Sequence, residues 1–402
     1  MNRALFMTVG TGVGDSEERI HSLAHGLLQS IKQHRPDKIV FFGSELSKKT
    51  LKSMKNQSDK VLSGDLPFHE FILIQHVDEF NDCFMPIKDK ITEYSDYDVL
   101  IDYTSGTKTM TMSASICSVL YHKDLVMVSG SRNPSGVVKS HTEIPKPQNI
   151  YKVYDEILFN EFKVHFNTLR FQSAIETLDK IVELDNKEGY RKLTLAYQAW
   201  DLFEHQKCKE ILTNSHITYL EGLKDSITIN LSILGVLGNP KQKNKSVQMV
   251  ADLLKNAQRR GFEEKYDDAV ARLYRTVELI AQCTLKDEFG LDTSDLDTTK
   301  LSDLSRRKMK LEPVKDGTIK LGMHSAFTLL RYEGNNLGIK FDNDNQIKDL
   351  LKRRNQSILA HGLTPIEKED YKKLMEKTIE LATEAYPNIE TLMKKAEFPK
   401  LR

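Results

Sequence analysis

Over residues 1–150, short apolar runs rich in β-branched and aromatic residues alternate with longer stretches of helical period. The runs are Ala4 to Val9, Lys38 to Phe42, Phe68 to Ile74, Val99 to Tyr103 and Leu125 to Ser129. Nearly continuous apolar character, without alternation, marks a strand buried on both faces of a sheet. Ile20, Leu23, Ala24, Leu27, Leu28 and Ile31 recur at i, i+3, i+4 spacing, which predicts a helix over Glu17 to Gln33. This β-α-β-α order predicts an α/β, Rossmann-like domain over 1–150, with a mostly parallel sheet and helices on both faces.

A Pro-bearing stretch, Ile144 to Tyr151, follows, and Pro145 and Pro147 fit neither a helix interior nor a central strand. We expect a domain boundary there. From 151 to 240 the pattern is helical, with Ala174, Leu178, Ile181 and Val182 and then Leu193 to Phe203 as its apolar marks. No repeat period emerges, so this segment reads as an all-α connector rather than a solenoid. Gly238-Asn239-Pro240, followed by Lys241 to Lys245, breaks the pattern again. The remainder, 241–402, reads as a second all-α domain, with helices expected over Val247 to Arg259, Tyr266 to Leu285, Asn345 to His361 and Lys368 to Tyr386. Between them, Asp292 to Asn345 is polar and carries no clear period.

A chain of 402 residues is too long for one ordinary core, which agrees with two or three domains. Hydrophobic residues at 39% and charged ones at 29% exclude global disorder. Fifty-eight basic against 57 acidic residues leave a net charge of +1, so no whole-chain field draws it to nucleic acid or membrane. Any basic site must be local. The four cysteines, Cys83, Cys117, Cys208 and Cys283, form no CxxC pair and no disulfide framework, as a reducing cytoplasm predicts; no metal site is expected. The first apolar stretch is six residues, without a signal-peptide cleavage pattern, and no run reaches the roughly 18 apolar residues of a membrane span. A soluble, intracellular protein is expected.

Two glycine-bearing loops directly follow strands. After the first comes Thr8-Val9-Gly10-Thr11-Gly12-Val13-Gly14; after Val99 to Tyr103 comes Thr104-Ser105-Gly106-Thr107-Lys108-Thr109. In an open parallel sheet, ligands bind beyond the carboxyl ends of strands, where strand order reverses. Glycine lets the backbone approach an anion, helix-start amides donate to it, and Ser105, Thr107 and Lys108 add hydroxyls and a charge. A phosphorylated or nucleotide-like ligand follows. The other reading is that these glycines only make tight strand-to-helix turns. A dinucleotide fingerprint does not fit, because Gly10, Gly12 and Gly14 have the wrong spacing and no acidic residue ends the second strand; a P-loop fails because Thr107 separates Gly106 from Lys108 and no upstream glycine is present.

Near the other end, Ile347 to Gly362 reads IKDLLKRRNQSILAHG. If the whole segment is one helix, Arg354 and His361, seven apart, lie two turns apart on one face, on the stripe of Ile347, Leu351 and Ile358. Arginine beside histidine suits RNA cleavage without a metal. Imidazole ordinarily titrates near neutrality and moves a proton to or from the 2'-hydroxyl or the leaving 5'-oxygen, while a guanidinium holds the phosphoryl oxygens. Asn355 adjoins the pair and is placed to orient a phosphate or the imidazole. The alternative is structural, a helix-end histidine with a salt-bridged arginine. On the helix before it, Arg272, Arg275 and Glu278 lie on one side, to pair with each other or to meet the Arg354 helix.

TVGTGVG, the string DYTSGTKTMT from Asp102 to Thr111, and RNQSILAH from Arg354 to His361 together resemble the CRISPR-associated CARF-HEPN ribonucleases of type III systems. YDDAVARLYRTVELIAQ, Tyr266 to Gln282, is similar to the first HEPN helix of one subgroup. The resemblance implies a CARF-like sensor over 1–150, a helical connector over 151–240 and a HEPN-like ribonuclease domain over 241–402. It implies that Thr8, Gly10, Thr11, Gly12, Ser105, Gly106, Thr107 and Lys108 contact a cyclic oligoadenylate activator, a ring of four or six adenylates. Arg354, Asn355 and His361 become half of a composite site that a homodimer completes, cutting single-stranded RNA. Some relatives also cleave their activator, for which Ser105, Thr107 and Lys108 are suited. Two other functions stay open: a sensor that acts through a partner or as a regulator, and an enzyme working at the N-terminal loops alone.

Overall fold

The computed structural model describes residues 2–12, 16–132, 138–139, 141–148, 151–214, 220, 222–239, 242, 245–313 and 317–402. Val13 and Gly14 of the first glycine loop, Asn149 and Ile150 of the Pro-bearing stretch, and Pro240 and Lys241 of the second break lie outside the described residues. The chain divides into two compact units, Met1–Leu158 with Ile181–Glu183, and Phe159–Lys180 with Leu184–Arg402.

The first unit runs β1 (Arg3–Val9), α1 (Glu17–His34), β2 (Lys38–Gly43), α2 (Lys48–Leu62), β3 (Phe68–Leu73), α3 (Phe80–Glu93), β4 (Asp98–Asp102), α4 (Lys108–Leu120), β5 (Asp124–Ser129) and β6 (Ile144–Gln148). The strands form one sheet in the order β3-β2-β1-β4-β5-β6, parallel except for the β5–β6 pair. The register sets Met7 of β1 opposite Phe41 on one side and Asp102 on the other. Alternation within the apolar runs loads both faces. Ala4, Phe6, Val40, Phe42 and Ile101 pack on Ile87, Ile91, Met110 and Ala114 of α3 and α4. Leu5, Met7, Val9, Ile39 and Phe41 pack on Leu27, Leu28, Ile31 and Met54 of α1 and α2.

The Pro-bearing stretch is not a linker. It is the edge strand β6, with Pro147 opposite Val126 and Pro145 opposite Val128. An edge strand has a side that needs no donor, so proline is tolerated there. The chain then enters α5 (Tyr151–Asn167), and the division between the units falls within that helix, after Leu158.

The second unit continues with α6 (Phe171–Lys180), α7 (Lys187–Asp201), α8 (His205–Asn214) and α9 (Lys224–Leu237), then α10 (Lys245–Phe262) and α11 (Tyr266–Phe289). The polar stretch that showed no period holds the short helices α12 (Asp303–Lys308), α13 (Met323–Tyr332) and α14 (Asn336–Asn343). They are followed by α15 (Asn345–Asn355), α16 (Lys368–Ala385) and α17 (Ile389–Lys395). One core joins Leu254 of α10, Leu273, Val277 and Ile280 of α11, Phe327 of α13, Leu351 of α15 and Leu374 of α16. Trp200 and Tyr197 of α7, both fully buried, stack near parallel and meet Phe398.

Val182 departs from its expected place on a buried stripe: α6 ends at Lys180 and the side chain is 67% exposed. Its backbone amide is instead bound by Asp155 Oδ1 at 2.9 Å. All four cysteines are buried thiols, and desolvation pushes Cys83 up to about 11 and Cys117 and Cys208 up to about 12, far from thiolate chemistry at neutral pH. Among the described residues no helix is long and apolar enough to cross a membrane.

Leu178 is fully buried on α6 whereas Val182 is not. Leu178→Ala is expected to cost about 2–5 kcal/mol and Val182→Ala less than about 0.5 kcal/mol. Denaturant midpoints of the two variants at unchanged slope check this; equal losses would return Val182 to the core.

Candidate functional site

Strand order reverses between β1 and β4, so the loops after Val9 and Asp102 share one edge of the sheet at the switch point. They interlock. The Thr8 hydroxyl donates to the Ser105 carbonyl, and the Gly10 amide donates to Ser105 Oγ at 2.9 Å. From the other side, the Ser47 and Thr50 hydroxyls donate to the Val9 and Gly10 carbonyls, each at 2.7 Å. A Cβ on Gly10 would stand 3.1 Å from Gly106 Cα, so glycine here is what lets two backbones touch. Gly106 sits at φ +120°, a conformation L side chains avoid.

Thr107 is the N-cap of α4: its Oγ1 accepts from the Met110 amide at 3.2 Å, and its hydroxyl donates to the Val77 carbonyl at 2.6 Å. Lys108 opens the helix and is exposed, as is Gly12; Gly10, Thr11, Gly106 and Thr107 are half-buried. Thr8 and Ser105 are buried and spend polar atoms on joining the loops. What faces outward is thus backbone, the positive end of α4 and one ammonium, an arrangement that attracts an anion.

Beneath the loops, Asp102 is fully buried at the end of β4. The Thr104 amide donates to its Oδ1 at 2.8 Å, while Oδ2 has no hydrogen-bond partner. Burial pushes this carboxyl above the ordinary carboxylate range, outweighing the Ser30 hydroxyl and the Thr104 hydroxyl and amide, which act the other way. Beside the loops opens a cavity of about 190 Å³ lined by Gly12, Arg19, Thr104, Met127, Arg132 and Glu143. Glu143 Oε1 lies 2.8 Å from His25 Nδ1, with both side chains largely buried. Arg19, Arg132 and Glu143 come from separate segments with no shared motif, which is why sequence reading missed them.

The Arg354–His361 segment is not one helix. Helix α15 ends at Asn355, where Gln356 and Ser357 amides donate to the Arg353 and Arg354 carbonyls in tighter turns. The chain then folds back: the His361 amide donates to the Asn355 carbonyl at 3.3 Å and the Thr364 amide to Gln356 at 3.0 Å. A Cβ on Gly362 would fall 1.9 Å from the Gln356 carbonyl oxygen, so glycine permits this reversal. Arg354 and His361 are therefore brought near one helix end by a turn, and not by shared helical phase. Ile347 and Leu351 are buried as expected, but Ile358 is 64% exposed.

The two neighbouring arginines separate. Arg353 is bound to Asp370 Oδ1 and Oδ2 at 2.5 and 2.7 Å. Arg354 makes no ion pair among the described residues: its guanidinium lies 4.7 Å over the Tyr274 ring of α11, its Nε is buried without a partner, and its Nη1 reaches Asn355 Oδ1 at 3.4 Å. His361 is exposed. Arg275 pairs with Glu278 at 2.9 Å, and Arg272 pairs with Asp268 at 3.0 Å and donates to Asn256, so these charges are satisfied within their own surroundings.

The Csm6 HEPN domain family matches residues 239–385, and the Csm6 6H domain family matches residues 154–230. Among solved structures, Enterococcus italicus Csm6 bound to cyclic hexa-2'-fluoro-hexa-dAMP is similar over 98% of this chain and 98% of its own, with TM-score 0.66 and 13% identity. Can2 from Sulfobacillus thermosulfidooxidans, in complex with cyclic tetra-adenylate, aligns over 53% of this chain and 69% of its own, with TM-score 0.26 and 11% identity. No curated protein matches.

A carboxyl whose folded-state pKa is raised imposes no penalty below its unfolded value near 3.9, and an increasing one as pH climbs toward the folded value. Asp102→Asn keeps the Oδ1 acceptor and removes the ionisation. Its melting temperature is expected to match the wild type near pH 4 and to exceed it increasingly as the pH rises above that; a difference independent of pH would mean Asp102 is an ordinary carboxylate.

Proposed function

The chain is a CARF-HEPN protein of type III CRISPR systems, and on that premise we propose that it is a metal-independent endoribonuclease switched on by a cyclic oligoadenylate. The observation that carries this reading is the turn that sets His361 back against Asn355 beside an Arg354 that, among the described residues, no carboxylate neutralises. All three residues fall within the stretch similar to Csm6 HEPN domains.

In the proposed reaction, the 2'-hydroxyl of single-stranded RNA attacks the adjacent phosphorus and the bond to the 5'-oxygen breaks. His361 handles the proton that leaves the 2'-hydroxyl or joins the departing oxygen. Arg354, oriented with Asn355, stabilises the charge on the phosphoryl oxygens. The products are a 2',3'-cyclic phosphate and a 5'-hydroxyl, with no water consumed.

Ile358, Leu359 and Leu363, at 64%, 47% and 86% exposure, flank His361. Apolar residues so placed support pairing of two copies, a homodimer in which each supplies half of one nuclease site. The interlocked loops of β1 and β4, with Thr8, Gly10, Thr11, Gly12, Ser105, Gly106, Thr107 and Lys108, are the proposed seat of a cyclic tetra- or hexaadenylate. Ligand binding activates by favouring one arrangement of the dimer, and the connector at 151–240 is proposed to carry that preference. If these loops also cleave the ring, Lys108 is the group available for it, since Ser105 and Thr107 use their hydroxyl groups within the fold.

Wild type and His361→Ala are to be compared on single-stranded RNA in EDTA, with each ring added in turn. Ring-dependent cleavage leaving cyclic phosphate ends is expected from the wild type, with a loss of about 10²–10⁴-fold in the variant. Equal rates would remove His361 from the chemistry. Absence of cleavage, with a ring-induced rise in melting temperature, would leave a sensor without nuclease activity.

A further inference from the structure

Arg354 has three guanidinium nitrogens but only one usable edge. Its Nε is shut in the protein without a hydrogen-bond partner, which closes the side formed by Nε and one Nη. Its Cζ lies over the Tyr274 ring, 4.7 Å from the ring centroid. Its Nη1 leans on Asn355 Oδ1 at 3.4 Å. Helix α11 brings Tyr274 to this point on the back of a buried stripe, Val270, Leu273, Val277 and Ile280, so the ring is anchored by the core rather than by the site.

From this geometry we propose that Tyr274 is a positioning residue: its ring holds the Arg354 guanidinium so that the scissile phosphoryl group is met end-on, through Nη1 and Nη2. The proposal rests on the ribonuclease reading above. A guanidinium 4.7 Å above an aromatic face is attracted by the ring quadrupole, and a cation without a carboxylate partner keeps its full charge for the substrate. A salt bridge would hold the arginine as firmly but would neutralise it, as Asp370 does for Arg353. The phenol oxygen has no part in the hold, so the ring alone matters.

The test is ring-activated cleavage of single-stranded RNA by Tyr274→Phe, Tyr274→Leu, Arg354→Ala and the double variant Tyr274→Leu/Arg354→Ala, with melting temperatures measured alongside. Tyr274→Phe is expected to keep wild-type kcat. Tyr274→Leu is expected to lose about tenfold in kcat with KM little changed, the size of a partly desolvated cation–π contact. In the Arg354→Ala background, Tyr274→Leu is expected to have no further effect, which a merely structural role for the ring would not produce. If Arg354→Ala cuts RNA like the wild type, the nuclease reading fails and the positioning role goes with it. If Arg354→Ala is impaired while Tyr274→Leu is fully active, or if the two losses multiply in the double variant, the positioning role alone is overturned.

Discussion

Strand β1 has neither a free edge nor a free face. Hydrogen-bonded to β2 and β4, it is covered by α1 and α2 on one side and by α3 and α4 on the other. A strand so enclosed can present chemistry only at its end. The chain leaving Val9 meets the chain leaving Asp102 there, and the two backbones come so close at Gly10 and Gly106 that a methyl group would not fit without movement. The Thr8, Ser105, Ser47 and Thr50 hydroxyls bind backbone groups of these loops, so the polar surface that remains is rigid before any ligand arrives. Preorganised donors of this kind would bind an anion with little further ordering cost.

At the end of α15 the backbone is held as firmly, but not every buried polar atom is paired. Gly362 packs against Gln356, and the Asp267 carboxylate accepts from the Ile366 amide at 3.3 Å, fixing the chain on both sides of His361. Yet Arg354 Nε, Ser357 Oγ and Asp267 Oδ1 are buried without partners. Beside them stand Ile358, Leu359 and Leu363, open to solvent.

How much of this was legible beforehand followed from how local each cause was. Strands buried on both faces wrote themselves as unbroken apolar runs, and α1 as a helical period; the bounds of β1, β2, β4 and β5 fell within a residue of the runs. The prolines of the Pro-bearing stretch ruled out a helix interior and a central strand, but proline is compatible with linkers and sheet edges alike, and only pairing with β5 identifies the edge. The single helix expected through His361 failed because periodicity does not register where a helix stops. Ser357, buried by the fold-back, and Gly362, needed for a contact with a residue six positions earlier, decide it. Arg353 and Arg354 are indistinguishable in a string of letters; Asp370 and Tyr274 separate them from distant parts of the chain.

These differences between the two sites bear on control. A nuclease complete within one chain would cut whatever RNA it met, and a ligand could only slow or hasten it. On the proposed function, a second copy would cover the exposed Ile358, Leu359 and Leu363 beside His361, and a signal that altered that arrangement would alter competence directly. The contrast between the two sites would, on the same proposal, suit a sensor and an effector: binding energy at the first would not be spent on local ordering of the described backbone, while the second would have contacts left to gain. The proposed role of Tyr274 fits this division, since its ring packs on the core and would hold Arg354 without pairing it to a carboxylate.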